Sequence, residues 1–208
     1  MTRLILTRHG HVEGIDPPRF RGRQELPLTA IGRAQILALA RRIAAIANPA
    51  VVFTSPMQRC VDTARAVAEA CGIAVEILPD LNDLDYGTWQ WRTYDEMRAR
   101  EPAMFATWMA APHLVRFPSG ESLQDIVARS ADALRVVLER YPRDGDCVVM
   151  VGHDTINRAL LLQLLDQPLS AYWRLRQAPC CLNELELRDG RVWALGINER
   201  QHLAGAGE

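Results

Sequence analysis

No run of apolar residues in this chain approaches membrane-spanning length, and those ahead of Arg8 are too few for the core of a signal peptide. Neither sign of charge dominates. With 24 basic and 25 acidic side chains the net charge is −1, so the broad basic footprint of a nucleic-acid binder is missing. No Cys-x-x-Cys pair occurs. The five cysteines (Cys60, Cys71, Cys147, Cys180 and Cys181) are odd in number and sit in apolar stretches. That argues against a disulfide framework or a thiolate zinc site and suits reduced thiols. Internal repeats, low-complexity tracts and interdomain linkers are also lacking. What is there is 208 residues, 49% hydrophobic, enough to bury one core. The expectation is a soluble, cytoplasmic protein, a single domain over 1–208, with no nucleic-acid or membrane partner.

The hydrophobic pattern alternates between strand and helix. Residues 3–8 read as a short buried strand, abruptly ended. Thr29 has the character of a helix N-cap, and a helical pattern follows it to about Ala47. A strand at 51–54 leads into Ser55-Pro56, which reads as a helix start, with the helix running to Cys71 and stopping at Gly72. A third strand covers 75–78. Residues 80–92 have no clean period, and two helical pieces split near Pro102 follow them. A long amphipathic helix spans about Ser122 to Tyr141. The apolar strand 147–151 ends in Gly152-His153, with a helix to about Leu165 beyond it. Asp189-Gly190 joins an antiparallel pair, 183–187 and 192–197. This order predicts an α/β fold: three layers, α/β/α, a mostly parallel central sheet, and residues 80–120 inserted as a helical lid or side element.

Sites in open parallel sheets gather at the carboxyl ends of the strands. Those ends carry Arg8-His9-Gly10, then Thr54-Ser55 with Arg59 one turn on, then the loop with Asp83 and Asp85, then Gly152-His153. The set suits phosphoryl transfer. Arginine offers a planar, permanently charged fork for a phosphate. A neutral imidazole can attack phosphorus and become phosphorylated, and a second one, if protonated, can hold the equatorial oxygens. A carboxylic acid can protonate the leaving alkoxide and then activate water. Gly10 would let backbone approach the ligand, and the helix N-terminus at Asp154 would add amide donors. None of these roles calls for a metal or a cofactor.

Arg8-His9-Gly10 at the end of a first strand resembles the signature of the histidine phosphatase superfamily, which includes cofactor-dependent phosphoglycerate mutases and small phosphatases such as the alpha-ribazole phosphatases. The likeness extends along the chain in order: GRQELPLTAIGRAQ (22–35), TSPMQRCVDTA (54–64), LNDLDYGTW (81–89), FPSGES (117–122) and VMVGHDTINRALL (149–161). It implies a phosphoglycerate mutase-like fold, His9 as the phosphorylated nucleophile, Arg8, Arg59 and His153 as the phosphate pocket, and a small phosphorylated metabolite as partner. Asp83 stands where the family usually has glutamate, one methylene longer. Asp154 follows the second histidine, where a distant acid-phosphatase branch carries its proton donor. Both are acid candidates, with Asp83 favoured, and Asp154 then counts among the pocket residues.

Other readings stand beside these. Asp83 can be a turn cap, and Arg59 or His153 ordinary structural residues. Arg19, Arg21 and Arg23 make a basic loop, either solvated or recognising an anion, with Arg21 the first candidate for substrate specificity and Glu121 the second. His11 reads as a loop residue, and Trp89, Trp91 and Trp108 as core or lid packing. For the whole protein, a metal-independent phosphomonoesterase, monomer or homodimer, is favoured. A phosphoglycerate mutase is the alternative, disfavoured by the compact region before His153. A non-catalytic phospholigand-binding regulator is another. A metal-dependent hydrolase built on His9-x-His11 and His153-Asp154 is disfavoured because two arginines would repel a dication.

Overall fold

Six strands carry the molecule: β1 (Thr2–Arg8), β2 (Val51–Thr54), β3 (Ala74–Ile77), β4 (Cys147–Gly152), β5 (Leu182–Arg188) and β6 (Arg191–Glu199). The computed structural model describes residues 1–206. The strands form one sheet in the order β3-β2-β4-β1-β5-β6. The first four in that order run parallel, β5 is antiparallel to β1, and β6 to β5. β2 and β4 are buried along their whole length, as expected of parallel strands covered on both faces.

Strand alternation divides the core in two. Ile5, Val52, Val149 and Val151 face one cluster, with Leu39 and Ile43 of α1 (Ala30–Ile46) and Val67 of α2 (Gln58–Cys71). Leu4, Leu6, Phe53, Val148 and Met150 face the other. There they meet Leu123, Ile126 and Val137 of a long helix, Leu123–Arg140, and Leu160 of the helix Asp154–Leu164. Between β3 and the long helix lie α3 (Tyr94–Arg100) and α4 (Pro102–Ala110), so the other two are α5 and α6. Helices therefore cover both faces, and the three-layer α/β/α expectation holds. Among the described residues no helix is long and apolar enough to cross a membrane.

The helix starts follow local chemistry. Thr29 accepts from the Gly32 amide at 3.1 Å, and Ser122 and Asp125 form a capping box at the head of α5. The start of α2 differs from expectation. It begins at Gln58, with Met57 as its N-cap, and not at Ser55-Pro56. The Ser55 hydroxyl accepts from the Met57 amide at 3.3 Å and is also bonded to the His153 ring. The serine keeps its local bond and adds a tertiary one.

The segment 80–120 is fastened to the body by aromatic packing. Trp89 and Trp108 are fully buried; Phe20 edge-packs on Trp89 at 5.0 Å between centroids, and Tyr172 lies 5.7 Å from Trp108. Trp91 lies outside that stack, with the Arg19 guanidinium 4.8 Å over its ring. Gly87 makes the tightest contact. Its φ is 51°, and a Cβ there would stand 2.0 Å from the Pro118 carbonyl oxygen. Only glycine lets the 85–88 turn lie against 118–121, where Thr88 donates to Pro118 at 3.0 Å and Glu121 to Asp85 at 2.9 Å.

Neighbouring positions on α1 test the layer assignment. Leu39 is wholly buried and Leu37 is 54% exposed. Leu39→Ala is expected to cost about 2–5 kcal/mol as a core cavity opens, and Leu37→Ala about 0.5 kcal/mol or less. Urea unfolding at an unchanged m-value reads both, and equal losses would contradict the assignment.

Candidate active site

Strand register sets the site. Parallel pairing places Arg8 opposite Gly152 and Thr54 opposite Val151. The next amides continue the ladders: His9 donates to the Gly152 carbonyl and Ser55 to that of Val151, both at 3.1 Å. His9, Ser55 and His153 therefore leave three adjacent strands at one level, at the carboxyl edge of the sheet. The two imidazoles lie 5.2 Å apart between centroids, inclined by 63°.

His9 is oriented by its own neighbour. Its Nδ1 is 2.7 Å from the Gly10 carbonyl oxygen. A carbonyl only accepts, so Nδ1 carries the hydrogen and the lone pair of the neutral ring is on Nε2. Burial, then the charges of Arg59 and Arg8, hold His9 well below the ordinary imidazole range. Gly10 departs from the sequence reading. A Cβ there would meet the Gly32 oxygen and Ile36 Cγ2 of α1, each at 2.8 Å, and the Gly10 amide donates to Thr63 Oγ1 at 3.2 Å. Its smallness serves helix packing, and its amide is already used.

His153 has the complementary arrangement. Nδ1 accepts from Arg59 Nη2 at 3.1 Å, since a guanidinium only donates. Nε2 therefore carries the hydrogen and donates to Ser55 Oγ at 2.8 Å. Burial, then Arg59 and His9, hold this ring neutral as well.

The cations of the site are arginines, and the chain contains no lysine at all. Arg59 has no exposed surface. It donates to the carbonyls of Gln24 at 2.8 Å and Gly22 at 2.7 Å, and lies 3.3 Å from Asp83 Oδ2. Arg8 donates through Nη1 to the Gln177 carbonyl at 2.7 Å, and Gln177 is locked to Asn183 by paired amide bonds of 2.8 Å. The buried Nε and Nη2 of Arg8 have no partner. Arg59 Nε is unpartnered too, so buried guanidinium N–H groups are left over beside two imidazoles held neutral, an arrangement that suits an anion.

Of the two acid candidates, Asp83 joins this group. Its Oδ2 is 3.6 Å from His153 Nδ1, and burial raises its pKa against the opposing pull of Arg59. Asp154 has its Oδ1 on Arg158 Nε at 2.8 Å, and Arg158 lies 5.0 Å from each of the Tyr172 and Trp173 rings. Its charge still reaches Arg8 and Asp83.

Arg21 donates to the carbonyls of Gly14 and Arg19, and its charge acts on Arg8, His9 and Asp83, which puts it beside the site. Glu121 spends both oxygens on protein: Arg23 at 3.0 Å, the Asp85 amide at 2.9 Å and Arg129 at 3.1 Å. His11 is bonded to Thr29 through Nδ1 at 3.0 Å. Gln177 and Arg129 were not picked out from the sequence, and Ser55 was named at its strand end without a role in the site. Ser55 alone carried a signal, as a polar residue directly at a strand end. Among the described residues, no three His, Cys, Asp or Glu side chains gather as a metal-binding cluster.

Comparison with known proteins follows the same geometry. The solved structure of YhfR from Bacillus stearothermophilus superposes with a TM-score of 0.89 at 28% identity, over 98% of this chain and 100% of that one. A bifunctional protein of Mycobacterium tuberculosis is 33% identical over 203 residues, 97% of this chain and 55% of that protein. The chain thus spans about half the length of that curated relative. A metal-independent phosphoserine phosphatase of Arabidopsis thaliana is 28% identical over 209 residues, covering 100% of this chain and 85% of the relative. The family model that matches here spans residues 4–200, which hold every side chain of the pocket, and the chain belongs to the histidine phosphatase superfamily, branch 1.

Proposed function

We propose that the protein is a metal-independent phosphomonoesterase that hydrolyses a small phosphorylated metabolite through a phosphohistidine at His9. One observation carries the reading. The hydrogen on His9 Nδ1 is tied to Gly10, which leaves the lone pair on Nε2, and the buried Nε and Nη2 of the adjacent Arg8 have no protein partner.

In the first step Nε2 attacks phosphorus, and the bond to the ester oxygen breaks as that oxygen takes the proton of the Asp83 carboxyl. Arg8 and Arg59 hold the equatorial oxygens throughout. A phosphate dianion beside His153 opposes the influences that keep that ring neutral, so Nδ1 can release the Arg59 hydrogen bond, take a proton from solvent and become a third charged contact. In the second step water attacks phosphorus and gives its proton to the Asp83 carboxylate. The P–N bond breaks, inorganic phosphate leaves, and His9 and Asp83 return to their starting protonation. Asp83 is preferred to Asp154 because its carboxyl faces Arg59 and His153, whereas that of Asp154 is paired with Arg158. The name of the Arabidopsis relative makes phosphoserine the first substrate to try.

His9→Ala is expected to abolish turnover and to remove an acid-labile phosphoryl adduct trapped from wild type by rapid quench, with activity indifferent to chelator. Asp83→Asn is expected to lower kcat on an alkyl ester by about 10²–10⁴-fold, and Asp154→Asn by far less. The reverse order would move the acid role to Asp154.

The pH profile has a definite sign. Turnover needs neutral His9 and protonated Asp83. The lowered His9 pKa puts the acid limb below the ordinary imidazole range. The raised Asp83 pKa carries activity above the ordinary carboxylate range, after which it falls with rising pH. Asp83→Asn is expected to erase that falling limb in kcat/KM, and its survival would count against the assignment.

A further inference from the structure

Asp83 lies on an irregular stretch with no ladder to hold it. The support comes from behind. Arg129, two turns into α5, directs its guanidinium at the back of this loop. Nη1 donates to the Asp80 carbonyl at 2.7 Å and the Asn82 carbonyl at 2.6 Å. Nη2 donates to the carbonyl of Asp83 itself at 3.0 Å and to Glu121 Oε2 at 3.2 Å, and Nε to Glu121 Oε1 at 3.1 Å. All five N–H donors of the guanidinium are engaged. Glu121 ties the next part of the loop through the Asp85 amide at 2.9 Å, and Arg23 adds a second bond to the Asp83 carbonyl at 3.3 Å.

We infer that Arg129 is the positioning residue of the proton donor: it grips the backbone of residues 80–83 from the α5 side, so that the Asp83 carboxyl is presented to Arg59 and His153. The inference rests on the reading of Asp83 as the acid. Arg129 touches no substrate and none of the reacting atoms. Its base is rigid, since α5 opens with a capping box at Ser122 only seven residues earlier. Its charge also reaches the site, among those that keep His153 neutral. A lysine here would offer three donors from one point and cannot span three carbonyls and a carboxylate.

The test compares two esters. p-Nitrophenolate is a good leaving group and departs without a proton, whereas an alkoxide needs one. Arg129→Met, Arg129→Lys and Asp83→Asn are assayed on p-nitrophenyl phosphate and on the best alkyl phosphate of a panel that includes phosphoserine. A loose acid loop is expected to lower kcat/KM, which covers only the steps up to phosphorylation of His9, by about tenfold or more on the alkyl ester and by much less on the aryl ester, with Arg129→Lys intermediate. The inhibition constant of inorganic phosphate is expected to stay within about twofold of wild type in Arg129→Lys, which keeps the charge that reaches His153 and leaves Arg8 and Arg59 in place. An equal loss on both esters, or none, would overturn the inference, since a merely less stable protein loses both alike. If Arg129→Met does not fold, Arg129→Lys and Glu121→Gln carry the comparison. Selective loss in Asp83→Asn without it in the Arg129 variants defeats the positioning role alone. No selective loss in Asp83→Asn defeats the acid assignment and this inference together.

Discussion

A guanidinium with no exposed surface has to be solvated by the protein itself. Arg59 is that group, and most of the site follows from meeting its needs. Its partners are the Gly22 and Gln24 carbonyls, the His153 ring and the Asp83 carboxyl. They come from the loop after β1, the end of β4 and the loop after β3. Three stretches far apart in sequence are drawn to one point because a buried charge left unpaired there would cost several kcal/mol. Arg8 repeats the pattern on the other side with the Gln177 carbonyl; its Nε and Nη2, like the Nε of Arg59, have no partner.

The two imidazoles respond to these cations. Buried beside fixed positive charge, neither holds a proton readily, and each has its hydrogen placed by one obligatory acceptor or donor. The nucleophile proposed at His9 thus needs no separate base to activate it. The same positive field opposes the desolvation of Asp83, and burial wins. One pocket thus moves a histidine pKa down and a carboxyl pKa up, the directions that the proposed chemistry requires.

Rigidity is distributed to match. The histidines sit on strand ends locked by the parallel ladder, whereas the carboxyl sits on a loop with no ladder. That loop is held instead by Gly87 against the 118–121 turn and by Arg129 and Glu121. Phe20 against Trp89, and Tyr172 and Trp173 against Trp108, anchor the rest of the 80–120 segment over the core.

Much of this was legible in the chain. The alternation of strand and helix determined the layers, because apolar period is set by burial. The rule that parallel sheets work at their carboxyl ends put Arg8, His9, Arg59 and His153 together. Glycine at position 10 was misjudged, since only the packed structure shows α1 against it. Ser55 read as a helix cap because its partner is 98 residues away. Asp83 was favoured over Asp154 on the family pattern alone, and Arg158, four residues after Asp154 at the spacing of a helical ion pair, was a further signal left unread. Arg129 looked like any charge on an amphipathic helix. The sequence by itself determined which side chains the strands deliver to the edge, because local period and strand ends are local properties. Tertiary structure alone decided which hydrogen bond each of them makes, because those partners are set by the crossing of distant loops around buried charge.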